Sequence, residues 1–543
     1  MYKILSKKIN SITGAAFIIA VLGVISRILG VLRDRILAGQ FGAGSDLDIY
    51  YAAFRIPDLV FNFVVFGAIS AAFIPIFSGL LKHDNEGGFA ENETAWNFLS
   101  NILNVFAMIL IVICGLLFVF ADPLVKLISP GFSIGQLEST ALLTRIMFLS
   151  PILLGLSGII GGVLQSFKRF LVYALAPIMY NLGIIIGALW LVDIFGLIGL
   201  AVGVVLGAVM HLMVQLPSVW RLGYKYKALF SLKNKKIKEV FTLMIPRVLG
   251  LVAVQVNLIV ITIFGSFLAA GTITVFNLAN NLQYFPIALV GISFAIAAFP
   301  VLSSQYARSD HEGFRKTLSE SFRLILFLII PLSTLFILFR VEIVRIVLGS
   351  GKFGLNDVLL TANTLGLFGV SLFAQSLLPL LARAYFARHN TWIPFLVGLF
   401  SAMINILLSW LLADSFGVLG LTLAFSFSSV INFLLLFTIL RYQVGNIDDR
   451  GMLQALFRTM VATTVMVLSV VVLQDLVAKI IIVERGWILL LYLIVLGGIA
   501  GVVYVLVSFI LKSKELLLLM AHLKLRKEYK SLKIKNEGID KVE

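Results

Sequence analysis

The stretch Asn181–Leu200, NLGIIIGALWLVDIFGLIGL, returns later in the chain as Asn405–Leu421, NILLSWLLADSFGVLGL. Each copy opens on an asparagine read as a helix start and runs through apolar residues to one aspartate. Each then turns at Phe-Gly-x-x-Gly-Leu, Phe195 to Leu200 and Phe416 to Leu421. An apolar run closed by a Phe-Gly turn reads as a membrane helix, a turn and the start of the next helix. Two other pieces recur in the same order. Gly67–Ser78 (GAISAAFIPIFS) is echoed by Gly291–Ser303 (GISFAIAAFPVLS), and Val125–Phe132 by Val344–Phe353. An offset of about 220–225 residues spans six helices. An even number of crossings preserves orientation, so the halves read as parallel repeats about an axis along the membrane normal.

The rest of the chain agrees. Of its 543 residues 60% are hydrophobic and 13% charged, far too apolar for a soluble globular protein. The expected fold is an all-α polytopic membrane protein of about fourteen transmembrane helices. Two parallel six-helix repeats enclose a central cavity, and two extra C-terminal helices follow. The domains expected are a first lobe at 1–220, a basic cytoplasmic linker at 221–238 and a second lobe at 239–442. Two added helices at 443–511 and a basic tail at 512–543 complete the chain, the tail reading as an interfacial helix on anionic lipid. The first apolar run, near Ile12, has no small-residue cleavage site and is read as a span, not a cleaved signal.

The net charge of +16 invites a nucleic-acid partner, but its distribution argues against one. Lys and Arg gather in alternate loops, roughly thirty on one side against about ten on the other, so both termini are expected in the cytoplasm. The single cysteine, Cys114, lies within an apolar run and leaves no disulfide framework or thiolate metal site. No Walker loop, dinucleotide fingerprint, metal-spaced histidine set or nucleophile elbow is present. The chain therefore reads as a transporter and not an enzyme, with no catalytic residue, metal or cofactor. His211 reads as a pore or packing residue.

Charge at membrane depth costs about 2.5–3.5 kcal/mol per Arg or Asp, so the few such groups mark a cavity or a pairing. Ser26–Asp34, SRILGVLRD, carries Arg27, Arg33 and Asp34. Arg27 and Asp34 are seven apart and share a helix face. Asp48, Arg55 and Asn62 form a second stripe at the same spacing, beside Pro57. One reading is a cationic patch for phosphate groups, which guanidinium binds bidentately. The other is that Arg27 or Arg33 pairs with Asp34 or Asp48 to staple the first two spans, with Arg35 reaching the interface. A second proline and cation, Pro246-Arg247, lie in the seventh span, and Asn277, Asn280, Asn281 and Gln283 lie in the eighth. Amides there act as glue between helices or as ligands.

SRILGVLRD, then Phe41-Gly-Ala-Gly44, Ala53-Phe-Arg-Ile-Pro57 and Gly67 to Pro75, resemble in this order the N-terminal motif of the MurJ (MviN) family. That family belongs to the multidrug/oligosaccharidyl-lipid/polysaccharide exporter superfamily. The resemblance implies a flippase of the bacterial inner membrane that carries lipid II, the undecaprenyl-pyrophosphate-linked peptidoglycan precursor, by alternating access. A related polyprenyl-pyrophosphate glycan, such as an O-antigen or capsule unit, is the alternative cargo. Membrane lipids, and cell-wall synthesis proteins, are the implied partners. By the same resemblance Arg27, Arg33, Asp34 and Arg55 contact substrate, joined by Asn62, Arg247, Asn280 and Asn281, and the last two spans line a groove for the lipid tail. The chain departs from the family pattern where Phe61, Asn62 and Phe66 replace arginines and a glutamate, and where Asn280-Asn281 replaces Asp-Arg. Ile261 replaces an aspartate that some members use in a proposed sodium site. The expected cavity is thus less cationic, with Arg247 supplying part of the missing charge. Two negative charges leaving a cytoplasm at −100 mV gain about 4–5 kcal/mol, enough for the potential to set direction.

Overall fold

The computed structural model describes residues 12–63, 73–81, 92–478 and 486–521, and within them the side chains of all but residues 12–17, 243, 245–254 and 477–478. Phe66, the first half of Gly67–Ser78, the N-terminal lysines and the tail beyond residue 521 lie outside the described residues, as does the Arg247 side chain. The long helices are α1 (Ile12–Phe41), α2 (Ser45–Phe61), α3 (Glu93–Val119), α4 (Ile134–Ser166), α5 (Phe170–Phe195), α6 (Ile198–Trp220) and α7 (Lys235–Ser266). They continue as α8 (Thr272–Ala307), α9 (His311–Leu338), α10 (Leu355–Ala387), α11 (Trp392–Phe416), α12 (Val418–Val444), α13 (Asp449–Ala478) and α14 (Gly486–Ile510). Among the described residues, eleven helices are long and apolar enough to cross a membrane. Some side chains of α1 and α7, and the residues following α2, lie outside the description.

The repeated motif folds the same way twice. Gly196 and Gly417 both hold a positive φ, +58° and +57°, which glycine adopts without the Cβ penalty and which ends the preceding helix. Their amides close the last turn on Val192 O and Ala413 O, each at 2.8 Å. The second glycine of each copy serves close approach: a Cβ on Gly199 would overlap Leu191, and one on Gly420 would overlap Leu412. The asparagines, by contrast, are not helix starts. Asn181 lies inside α5 and Asn405 inside α11, because the apolar runs extend upstream of both. Each instead reaches a neighbouring helix. Asn181 accepts from Arg33 of α1 (3.2 Å) and Asn405 donates to Asn257 of α7 (2.9 Å). Both pairs are related by the same offset, 181 to 405 and 33 to 257, so one contact has been kept while its chemistry changed.

Helices α5 and α6 meet through small residues, the usual device where lipid is as apolar as any side chain. A Cβ on Gly187 would lie 2.6 Å from Gly203 Cα, and one on Gly183 would overlap Gly207. Gly203→Leu is expected to cost about 3 kcal/mol by forcing these backbones apart. The melting temperature in detergent should drop by several degrees. Gly501→Leu, where a side chain meets nothing within 4 Å, should leave it unchanged.

The chain forms two compact units. The first comprises Met1–Leu278, Val347–Thr361 and Gly398–Phe425; the second comprises Ala279–Ile346, Ala362–Val397 and Ser426–Glu543. Helices α8 and α10 to α12 thus each divide between them. The first has an aromatic core in which Trp96 stacks on Phe167 with ring centres 5.5 Å apart, and a second core around Leu37, Leu47, Tyr50 and Val204. In the second, the buried Tyr504 hydroxyl donates to Phe327 O (2.6 Å), tying α14 to α9. Arg323 of α9 pairs with Asp448 (3.0 Å) and approaches the buried Glu515 (3.7 Å). That ties the segments flanking α13 and α14 to the middle of α9.

Candidate functional site

The polar stripe on α2 starts from its sequence. Pro57 has no N–H to give Ala53, and that carbonyl lies 3.3 Å from the Thr144 hydroxyl of α4, whose closer acceptor is Thr140 O (2.7 Å). Asp48, seven residues before Arg55, caps the start of α8. One carboxylate oxygen accepts from Gly271 N (2.6 Å), and the other accepts from the Thr274 amide and hydroxyl (2.7 Å each). A carboxylate at a helix N-terminus answers both the orphan N–H groups and the dipole. Arg55 is buried on the same side. Its Nε donates to Thr262 Oγ1 (2.8 Å) and an Nη to Asn277 Oδ1 (2.7 Å). The stripe therefore faces residues 262–277, except Asn62, whose amide donates to Asp58 O on its own helix (2.8 Å).

On α1 the arginines divide. Arg33 bonds its neighbour Asp34 through two nitrogens (3.0 and 2.8 Å) and Asn181 through a third. The Asn181 amide donates back to Pro177 O (3.1 Å) and Ser26 O (3.4 Å), so one side chain orients the guanidinium and joins α1 to α5. Asp34 pairs with Arg33 on α1, and Asp48 serves the start of α8. Arg35 donates to Val347 O (3.2 Å). Arg27 is exposed, not buried, and has no hydrogen-bond partner among the described residues. It opens into a cavity of about 600 Å3 lined also by Ser26, Asp58, Gln165, Tyr180 and His211. His211 is held through Nδ1 against Ser157 Oγ (2.7 Å), which also accepts from Gln215 (2.7 Å).

The amides of α8 beyond residue 278 belong to the second unit. Asn280 accepts from Gln283 (2.9 Å), Gln283 accepts from Gln375 of α10 (3.0 Å), and Gln375 donates also to Ser371 (2.9 Å). Asn281 is exposed. The structure thus gathers Arg27 at a cavity, Arg33 with Asp34 behind it, and Arg55 with Asp48 against α7 and α8. Sequence reasoning missed Asp58 and Asn181 as site residues. Asp58 was signalled by standing one turn after Arg55, and Asn181 by heading the repeat. Among the described residues no group of three His, Cys, Asp or Glu could hold a metal.

A family profile described as lipid II flippase MurJ matches residues 37–496. A protein of Buchnera aphidicola (from Acyrthosiphon pisum) named probable lipid II flippase MurJ is 30% identical over 77% of this chain and 81% of its own. One of Burkholderia cenocepacia named lipid II flippase MurJ is 28% identical over 77% and 81%. Among solved structures, a lipid II flippase MurJ in an inward closed conformation superposes with a TM-score of 0.73 at 24% identity, covering 91% of this chain and 98% of that one. An inward-facing multidrug resistance MATE transporter gives a TM-score of 0.61 at 12% identity, over 78% and 96%. At these identities the structural likenesses speak for the fold.

Proposed function

This chain belongs to the lipid II flippase MurJ family, and from that membership we propose that it moves lipid II from the inner to the outer leaflet of the bacterial inner membrane. It is a transporter of many membrane-crossing helices, not an enzyme, and it works by alternating access. The observation that carries the reading beyond membership is Arg27. An exposed guanidinium midway along a membrane helix, in a 600 Å3 cavity and without a partner among the described residues, is suited to a phosphate-bearing head group. Arg33, set by Asp34 and Asn181, lies on the same helix one to two turns on. We place both termini in the cytoplasm, the two six-helix lobes at 1–220 and 239–442, and the lipid tail along 443–511. Ile261 is fully buried, and Asn257 pairs with the neutral Asn405. Ile261 stands where the proposed sodium site would need an aspartate, so we take the membrane potential as the driving force.

The test is rescue of a bacterium depleted of its own lipid II flippase. The wild type should restore growth, and Arg27→Ala at equal membrane abundance should not. Rescue by both would reduce Arg27 to a structural residue. No rescue by an inserted wild type would redirect the reading to another polyprenyl-pyrophosphate glycan.

A further inference from the structure

We propose that Asp58 is a resident counter-anion of the cavity, occupying the field of the arginines when no substrate is bound and competing with the substrate's phosphates for it. The inference rests on the flippase reading above. Of the four carboxylates on α1 and α2, three have different fates. Asp34 takes Arg33, and Asp48 takes two amides and a hydroxyl. Asp58 lines the cavity with Arg27 and, among the described residues, accepts no hydrogen bond.

A bare carboxylate amid membrane helices is expensive unless charge compensates it. Here the compensation comes from several walls. Arg55, one turn back on α2, and Arg33 of α1 are near enough to act on Asp58, and Arg27 shares its cavity. Tyr173 and Tyr180 of α5 and His211 of α6 are the other titratable groups that line this cavity. Arg33 already has Asp34, whereas among the described residues Arg55 donates only to the neutral Thr262 and Asn277. Asp58 is therefore the charge that balances Arg55 in the empty protein.

A competition follows. The phosphates and Asp58 are anions drawn to the same guanidiniums, so each must weaken the other's hold, and by linkage the weakening is reciprocal. The consequence for a carrier is release. With the carboxylate in place the arginines are never left unbalanced when substrate departs, and the departing phosphates meet a replacement. Binding without that competitor would be tighter, and dissociation, where most affinity differences reside, slower.

The test uses the full-length protein in nanodiscs, as wild type, Asp58→Asn and Asp58→Glu, with two probes: lipid II and undecaprenyl pyrophosphate without its glycan. Asp58→Asn is expected to tighten both about tenfold, and Asp58→Glu to bind like the wild type. In proteoliposomes Asp58→Asn should lower both the half-saturating lipid II concentration and the maximal flipping rate. Damage to the fold would weaken binding, so tightening separates the two explanations. Unchanged or weaker binding by Asp58→Asn overturns the proposal. If the wild type binds the bare pyrophosphate lipid but not lipid II, the flippase reading fails while the Asp58 comparison still decides on the bare probe. Failure of every form to bind either probe overturns both.

Discussion

Asp48→Ala is expected to destabilise the protein by about 3–4 kcal/mol, the sum of a lost helix cap and buried donors left without an acceptor. Asp48 is 3% exposed, and its two oxygens satisfy Gly271 N, Thr274 N and the Thr274 hydroxyl. Alanine leaves all three unpaired at the start of α8. Asp48→Asn keeps one acceptor oxygen and should lose about half as much. Thermal unfolding in detergent reads the stability. A second readout follows from the carrier's cycle. The contacts from Asp48 and Arg55 to residues 262–277 must part if α2 and α8 separate, so weakening them favours the separated state. A cysteine at Thr272, 5% exposed in the wild type, should then become alkylated faster by a membrane-impermeant maleimide in the Asp48→Ala background. Equal melting and equal labelling would show that the cap carries neither stability nor closure.

The repeat was readable because its glycines are fixed by geometry. A positive φ at Gly196 and Gly417, and backbone contact at Gly199 and Gly420, tolerate little else, so the motif stands out from an apolar background that otherwise repeats by chance. The Asp48–Arg55 stripe was readable for a similar reason, since a seven-residue spacing keeps two side chains on one face whatever they meet. What they meet was not. Thr262 and Asn277 are more than 200 residues away in sequence, and nothing local distinguishes them from other polar residues on membrane helices. Arg33 pairs with Asp34, one of the readings left open in the sequence, though not through a shared helix face. Its long side chain folds back to the adjacent Asp34, which a Cα spacing of 100° per residue does not foresee. Asp58 looked like one more polar residue after a proline. Its isolation is a property of the cavity, whose walls come from α1, α2, α4, α5 and α6.

The ion pair on α1 allows stability and transport to be separated. Asp34 is 6% exposed and the Arg33 side chain about a quarter exposed, so the pair is largely desolvated. Removing one member of such a pair leaves an uncompensated charge, whereas removing both can be nearly neutral. Asp34→Leu should therefore cost about 3 kcal/mol, somewhat reduced by the water that reaches Arg33. Arg33→Met with Asp34→Leu should return the melting temperature to near that of the wild type. The two changes share every relevant partner, so their effects on stability will be far from additive. Transport should behave otherwise. If Arg33 helps to hold the head group, the double variant is stable and still fails to rescue a flippase-depleted cell, because a methyl thioether cannot bind phosphate. Rescue by the double variant would make the pair a structural clasp, with Asn181 as its third member, and leave Arg27 as the guanidinium that meets the substrate. The other repeat supplies the control for the clasp. Asn405→Leu breaks the equivalent contact to Asn257, where no charge is at stake. Loss of transport there as severe as in the double variant would mean that the contact between helices, and not the cation it orients, is what both repeats preserve.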